Sequence, residues 1–214
     1  MVPEVGLSRP RVVKEARQLA ETVDLDKLTM SALADHLGVK APSLYKHIGS
    51  NAELHRVISR IACQELGNEV DRASRGRTGS SAFYAISHAA RNWAIRYPGL
   101  YRASHVPPAP GDPQHHAIVG AIARTFATAI DSLSTMDTPA KLDRVRGTRA
   151  ALHGFIALET TRSFGLDTDI DRSFDRTIHA LVAAFNWDSS ALTHGAEPLS
   201  RSPTDAQSTG WVQQ

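Results

Sequence analysis

Hydrophobic positions recur every three or four residues along most of this chain, which is the spacing of one face of an α-helix. The first such segment opens near Ser8–Pro10 and keeps an apolar stripe from Val12 to Val23. Later segments show the same period, and none shows the strict apolar–polar alternation that predicts a half-buried strand. The pattern therefore predicts an all-α protein.

Residues 28–54 form the most informative stretch of the pattern. Thr29 is placed to cap a short helix, because its hydroxyl can accept a hydrogen bond from an unpaired helical N–H group. Gly38 follows that helix where a residue tolerating positive φ is favoured. A second short helix is predicted over residues 41–47. Its Pro42 is tolerated in the first helical turn.

A long connecting helix is predicted next. Ser50 and Glu53 form a capping-box pattern, in which the two residues satisfy backbone N–H groups reciprocally. The helical period then continues to about Ala73, and a polar, glycine-containing loop at 74–80 marks a boundary. Further helices are predicted over about 81–97, 100–104, 113–133, 139–164 and 171–187, with Asp171 as the cap of the last.

Composition narrows the class of protein. The chain has 214 residues, 42% of them hydrophobic and 21% charged, as in globular proteins with a proper core. Its net charge is only +2, so binding to a polyanion requires a local basic face. Cys63 is the single cysteine, which excludes an internal disulfide and a cysteine-based zinc cluster. Without a run of about 18 apolar residues or a secretion signal, we expect a cytoplasmic bacterial protein and no membrane partner.

Residues 28–54 match the helix-turn-helix pattern, in which the second helix enters the major groove of DNA. The alternative is an ordinary corner between two helices in a protein that never meets DNA. The composition of the exposed face favours the DNA-binding interpretation, because its side chains are donors for phosphates and base edges. These residues are Ser31, Lys40, Ser43, Tyr45, Lys46 and His47.

The run L-T-M-x-x-L-A-x-x-L-G-V-x-x-x-S-L-Y-x-H-I, residues 28–48, resembles the DNA-binding signature of the TetR (tetracycline-repressor) family. One position departs from it, since Asn51 stands where such proteins usually carry a lysine that binds a phosphate. The resemblance implies a dimeric repressor that reads a palindromic, double-stranded operator. The implied DNA-binding residues are Arg9, Arg11, Thr29, Ser31, Lys40, Ala41, Ser43, Tyr45, Lys46, His47 and Asn51.

The resemblance also implies four parts along the chain. We expect a disordered N-terminus at 1–8, a three-helix DNA-binding head at 9–50, a helical effector-binding and dimerisation domain at 51–187, and a disordered tail at 188–214. The tail prediction rests on its Ser, Thr, Gly, Pro and Gln content, which offers few large apolar residues for a core.

A cavity between the helices of the second domain would hold a small-molecule effector, mostly through apolar contacts. The alternative is that the same aromatic side chains are ordinary core packing. The candidates for the pocket are Tyr84, His88, Trp93, Tyr101, Phe126, His153 and Phe155. The segment Arg149–Phe155 also resembles the His-Gly signature of one C-terminal subgroup of the family, although the tryptophan that usually precedes it is absent.

Two late helices carry much apolar surface, and the resemblance implies that they pair with their symmetry mates in a four-helix dimer interface. The alternative is that both helices bury this surface within their own chain. The residues concerned are Val145, Leu152, Ile156, Phe174, Ile178, Leu181, Val182 and Phe185.

The ten histidines raise the possibility of a metal or catalytic site. His115 and His116 are adjacent and so face different ways on a helix, and no His-x-x-x-His pair occurs. We therefore expect no metal, no cofactor and no enzyme activity. Two alternatives remain: a helical ligand-binding or protein-interaction module that does not bind DNA, and a remote one, an enzyme using His153 with Glu159.

Overall fold

The computed structural model describes residues 7–132, 138–165 and 169–185, and within these ranges the only regular elements are helices. This confirms the all-α prediction. The α-helices are α1 (Arg9–Thr22), α2 (Met30–Leu37), α3 (Asn51–Ser74), α4 (Gly79–Arg96), α5 (Pro98–Ala103), α6 (Pro113–Asp131), α7 (Thr138–Thr160) and α8 (Ile170–Phe185). Two 3₁₀ turns, Leu25–Lys27 and Ala41–Ser43, lie between α1 and α3.

The helix starts follow from their capping residues. Ser8 accepts a hydrogen bond from the Arg11 amide at 3.4 Å, and Thr29 Oγ1 accepts one from the Ala32 amide at 3.1 Å. Gly38 ends α2 with φ of 67°, a left-handed conformation that favours glycine. These caps confirm the predicted start of α1 and both predicted limits of α2.

The capping box at α3 differs from its prediction in one bond. The Glu53 amide donates to Ser50 Oγ at 3.1 Å, as expected. The Glu53 carboxylate instead accepts from the Gly49 amide, at 2.8 Å, and not from Ser50. The side chain therefore closes the turn one residue earlier in the chain and fixes the entry into α3.

Two predicted helix limits are wrong. The cap of α8 is Asp169, whose Oδ1 accepts from the Arg172 amide at 3.0 Å, so Asp171 lies inside the first turn. Helix α7 ends at Thr160 rather than near Phe164, because Arg162 adopts φ of 55°.

The second helix of the predicted helix-turn-helix is a 3₁₀ turn that continues as hydrogen-bonded turns to His47.

Helix α3 is the central helix of the fold. It packs against α1, α4, α5 and α6. The contacts with α1 extend from Glu53, which pairs with Arg9, to Glu65, which pairs with Arg17. The buried side chains of α3 join one apolar core that extends from Val12 in α1 to Ile178 in α8. Arg17 of α1 forms a bidentate ion pair with Glu65 of α3, at 2.7 and 2.8 Å, which fixes α1 against α3.

Half of the predicted dimer-interface residues belong to the core of a single chain. Leu152, Ile156, Phe174 and Ile178 are buried within the protomer, so their assignment to an interface is corrected. The amphipathic pattern showed that these side chains are buried but not against which surface. Val145, Leu181 and Val182 are half-buried at the edge of this core, whereas the side chain of Phe185 lies outside the described set.

The predicted disordered ends at 1–8 and 188–214 lie mainly outside the described residues, of which the first is Leu7 and the last Phe185. Within the described ranges, no helix is both long enough and apolar enough to cross a bilayer.

Candidate functional site

The turn from Ala41 to His47 presents a polar surface on a fully buried base. Leu44 and Ile48 have no exposed surface and anchor the turn in the core. Tyr45 lies between them and is 52% exposed, a large aromatic side chain offered to the outside. Lys40, just before the turn, and Lys46, within it, are also exposed, so this segment offers an aromatic hydroxyl and two ammonium groups to solvent. This is donor chemistry suited to phosphates and base edges.

Arg9 stabilises the end of this turn through hydrogen bonds to His47 and Glu53. Its guanidinium donates to the carbonyl oxygen of His47 and to Glu53 Oε1, the latter at 3.0 Å. The hydrogen bond from Gly49 and the one from Arg9 lower the pKa of Glu53, so the carboxylate is charged at neutral pH. Arg9 therefore links α1, the end of the turn and α3, and its predicted role as a DNA contact would be additional.

Asn51 and Thr29 hold α2 in place. Asn51 Oδ1 accepts a 2.7 Å hydrogen bond from the Met30 amide, while the Thr29 hydroxyl caps the same helix. Together they satisfy two of the unpaired amides at the α2 N-terminus. Both residues thus fix the orientation of the first helix of the motif, and a DNA contact by either stays a prediction.

The other residues predicted to contact DNA lie around the same surface. Ser31 is exposed in the first turn of α2, and Arg11 is exposed on α1. Ala41 is half-buried, and the Ser43 hydroxyl donates to the Lys40 carbonyl at 2.6 Å. His47 Nε2 is buried and has no hydrogen-bond partner among the described residues.

A cavity of about 130 Å³ lies between α3, α4, α6 and α7 beside the end of α5. Of the predicted pocket residues, Tyr101, Phe126 and His153 line it. The wall is mostly apolar, with Leu66, Ile122, Leu152 and Ile156 among its members, and its polar residues include Ser104, His105, Thr148 and Arg149. Cys63, which donates from its thiol to the Ser104 carbonyl at 3.1 Å, also lies in the wall.

The polar groups of the cavity form a small network. Tyr101 Oη and His153 Nδ1 are 3.2 Å apart, and the rings of His105 and His153 stack with centroids at 4.0 Å. His105 Nδ1 donates to the Tyr101 carbonyl at 2.9 Å. Burial lowers the pKa of His105 to about 4 and also lowers that of His153. Both imidazoles are therefore neutral at pH 7.

Four predicted pocket residues lie outside this cavity. His88 Nε2 pairs with Asp175 Oδ1 of α8 at 2.9 Å, and the Tyr84 ring packs on His88 with centroids at 4.6 Å. Trp93 is buried against Tyr97, and Phe155 packs on Phe174. These aromatic side chains are core and surface packing, the alternative that the sequence left open.

Sequence reasoning missed Thr148, Arg149 and His105 in the cavity wall. Arg149 lies four residues before His153 on α7, so helical spacing from that histidine could have found it. Thr148 lies five residues before His153, a spacing that does not place two residues on the same helix face. His105 lies in the irregular segment after α5, for which the pattern carries no spatial information.

A buried ion cluster was also missed. Arg91 of α4 is 4% exposed and donates to Glu159 at 2.5 and 2.7 Å and to Asp171 at 2.7 Å. It joins α4 to the end of α7 and the start of α8. Since the Glu159 carboxylate is bound by Arg91, it is not paired with His153 as the enzyme alternative requires.

Helix α5 contacts both the cavity and the head. Tyr101 lines the cavity, while Gly99 lies against the backbone of Ala20 in α1. Arg102, three residues after Gly99 in α5, pairs with Asp24, which follows the end of α1, at 2.5 Å. A displacement of α5 would therefore also displace α1, because the two helices are in direct contact.

Comparisons with known proteins agree with this architecture. Residues 12–56 match the family model described as bacterial regulatory proteins, tetR family. Residues 83–181 match the tetracyclin repressor-like C-terminal domain. The HTH-type transcriptional regulator Rv0681 of Mycobacterium tuberculosis is 30% identical over 190 residues, which cover 88% of this chain and 85% of that protein.

Solved structures share the fold. The crystal structure of BioQ with its double-stranded DNA operator superimposes with a TM-score of 0.62 at 19% identity, over 84% of this chain and 98% of that one. A TetR variant of Acinetobacter baumannii AYE in complex with minocycline gives 0.62 at 20% identity, over 84% and 97%. With the extended match to Rv0681, the chain belongs to the tetR family of bacterial regulatory proteins and is a DNA-binding transcription regulator rather than an enzyme.

Proposed function

We propose that this regulator is a homodimeric repressor that holds a palindromic operator and releases it when a small molecule enters the cavity. The observation that carries the proposal is the exposed Tyr45 between the buried Leu44 and Ile48. The buried pair holds the turn rigidly, and the exposed side chains between and beside them enter the major groove. The head is residues 9–50 and the effector-binding and dimerisation domain is residues 51–187. A protein that reads chromosomal DNA in this way acts in the cytoplasm of a bacterium.

Phosphate contacts would come from the cations around the turn. Lys40 and Lys46 flank Tyr45, and Arg11 lies on the neighbouring α1. Such contacts position the head, whereas Tyr45 and Ser43 face the bases. His47 Nε2 is buried in this conformation and does not reach a base. The start of α3 supplies backbone amides in place of the lysine that Asn51 replaces, since a helix N-terminus favours a phosphate.

Dimerisation places two heads on one operator. The outward sides of α7 and α8 are the proposed interface, because Leu158 is 45% exposed and Leu181 and Val182 are only half-buried. A twofold dimer matches the symmetry of a palindromic site, and the two turns must be about one helical repeat of DNA apart. A small change in their spacing is enough to lose affinity.

The ligand effect follows from the position of α5. A molecule between His153 and Phe126 would press on Tyr101, and Gly99 would transmit the movement to Ala20 of the head. This is a two-state coupling, and it requires the ligand to bind one of the two states more tightly.

The test is binding to a labelled duplex that contains the promoter region next to the protein's own gene. Fluorescence anisotropy across salt concentrations should give a log–log slope of about −5 or steeper, because each neutralised phosphate releases counterions. The double variant Tyr45→Ala with Lys46→Ala should lose specific binding and stay dimeric in sedimentation experiments.

The matched control is Ile95→Ala with Arg72→Ala. It removes one exposed apolar side chain and one exposed cation from the second domain, residues 51–187, which is called the body below. It should bind as tightly as the unmodified protein. A protein that is dimeric but shows no salt-dependent binding to any duplex would contradict the proposal and favour a ligand-binding module without DNA.

A further inference from the structure

The cavity contains an unsatisfied polar group. Thr148 is 2% exposed, and its hydroxyl oxygen has no hydrogen-bond partner among the described residues. The side chain belongs to the cavity wall. Burying a hydroxyl without a partner is costly, so native proteins rarely keep one without a reason. A ligand atom in the cavity that hydrogen-bonds to Thr148 would remove this cost.

The charge at the wall has one sign. Arg149, next to Thr148 and exposed, is the only Arg, Lys, Asp or Glu among the described residues that line this cavity. Its guanidinium is near enough to add to the effect of burial in lowering the pKa of His153 and of His105. Both histidines are neutral at pH 7, so they can donate or accept hydrogen bonds but do not compete for an anion as cations.

The remaining wall selects an apolar body of limited size. Its volume of about 130 Å³ is close to that of an engineered protein cavity of about 150 Å³ that holds benzene. Ile122, Phe126 and Ile156 provide apolar surface on two helices. A body of about six carbon atoms therefore fits this space, whereas a multi-ring molecule does not fit without movement of the helices.

We propose that the effector is a small monocarboxylate, with an apolar body of about six carbons between Ile122, Phe126 and Ile156 and its carboxylate against Arg149 and Thr148. A buried carboxylate is tolerated only when it is paired and hydrogen-bonded. Arg149 supplies the charge at the exposed side of the cavity and Thr148 supplies a neutral donor. This inference rests on the proposed function, because it takes the cavity as the effector site.

The experiment measures binding of four probes by isothermal titration calorimetry at pH 7: benzoate, hexanoate, benzamide and benzylamine. Benzoate and hexanoate should bind, benzamide more weakly by about tenfold and benzylamine not at all, because a charge-assisted hydrogen bond contributes about a factor of ten. Arg149→Met should weaken benzoate by about tenfold or more and leave benzamide unchanged. Thr148→Val should weaken both by about threefold to tenfold.

The matched control is Arg146→Met, on the same helix but outside the cavity wall, where Arg146 pairs with Asp143 at 3.5 Å. It should bind benzoate as the unmodified protein does. Equal or tighter binding of benzamide or benzylamine, no binding of any probe, or full benzoate affinity in Arg149→Met would overturn the inference.

Operator binding, measured on the same samples, separates the two proposals. Benzoate that binds through Arg149 but leaves operator affinity unchanged would contradict the ligand-released repressor and support the carboxylate site. A protein that binds its operator and releases it with an uncharged compound would support the ligand-released repressor and contradict the carboxylate site.

Discussion

Gly99, at the start of α5, lies so close to α1 that a Cβ atom built on it would be 2.0 Å from the carbonyl oxygen of Ala20. It would also lie 3.2 Å from the carbonyl oxygen of Val23. Both neighbours are backbone atoms, which cannot turn away as a flexible side chain would. The head and the body of the protein therefore meet at a point where only glycine fits.

Gly99→Ala should separate α1 from α5. The new methyl group must push backbone apart, and overpacking of this kind costs about 1–3 kcal/mol of the free energy of unfolding. Urea denaturation followed by circular dichroism measures this cost. We also expect a changed operator affinity, because the orientation of the head depends on this contact.

The control for that change is Gly147→Ala in α7, where a Cβ atom would meet nothing within 4 Å. Replacing a helical glycine with alanine should be neutral or stabilise by up to about 1 kcal/mol. Equal stability of the two variants would contradict the close approach at Gly99.

Arg91→Met should destabilise the body strongly. The substitution leaves the Glu159 carboxylate, with 13% side-chain exposure, without its cation, and a buried ion pair broken on one side costs about 3–5 kcal/mol. Urea denaturation measures the loss. Arg72→Met, which breaks the exposed pair with Glu69, should change stability by less than about 1 kcal/mol. A similar effect of both substitutions would show that the Arg91 cluster is not needed for the packing of α7 and α8.

Stability should fall on acidification because of His105. Burial lowers its folded-state pKa to about 4, whereas an unfolded histidine titrates near 6.5. Its contribution is therefore fully present above about pH 6.5 and is lost as the pH falls towards 4, since the unfolded chain then binds the proton more readily. The total loss is on the order of 3 kcal/mol.

The measurement for His105 is urea denaturation at several pH values between 4 and 7. The variant His105→Phe keeps a ring against His153 and removes the titrating group, so its stability should depend less on pH. A wild-type protein with constant stability across this range would contradict the burial of a neutral His105.

Local features of the fold could be predicted from the sequence because their causes lie within a few residues. Ser8, Thr29 and Gly38 determine helix ends through hydrogen bonds or φ values that involve immediate neighbours. The exposed position of Tyr45 could also be predicted, since Leu44 and Ile48 on either side of it are apolar.

Features that depend on distant residues could not be predicted. The helical period of Leu152 and Phe174 indicates burial equally well in a core or at an interface, and the structure places both in the core. Arg91 meets Glu159 across 68 positions of sequence, and no local pattern marks such a pair. The cavity arises in the same way, from Tyr101, Phe126 and His153 on three different helices or turns.

The central claim is that the surface around Tyr45 contacts the operator. The most direct test places p-benzoylphenylalanine at Tyr45, at Lys46 or at Ile95 and irradiates each protein with the operator duplex. Tyr45 and Ile95 are similarly exposed, at 52% and 46%, so accessibility alone does not distinguish them. We predict crosslinks to DNA from positions 45 and 46 and none from 95. Crosslinks from position 95, with none from 45 and 46 in proteins that still bind the duplex, would contradict the account.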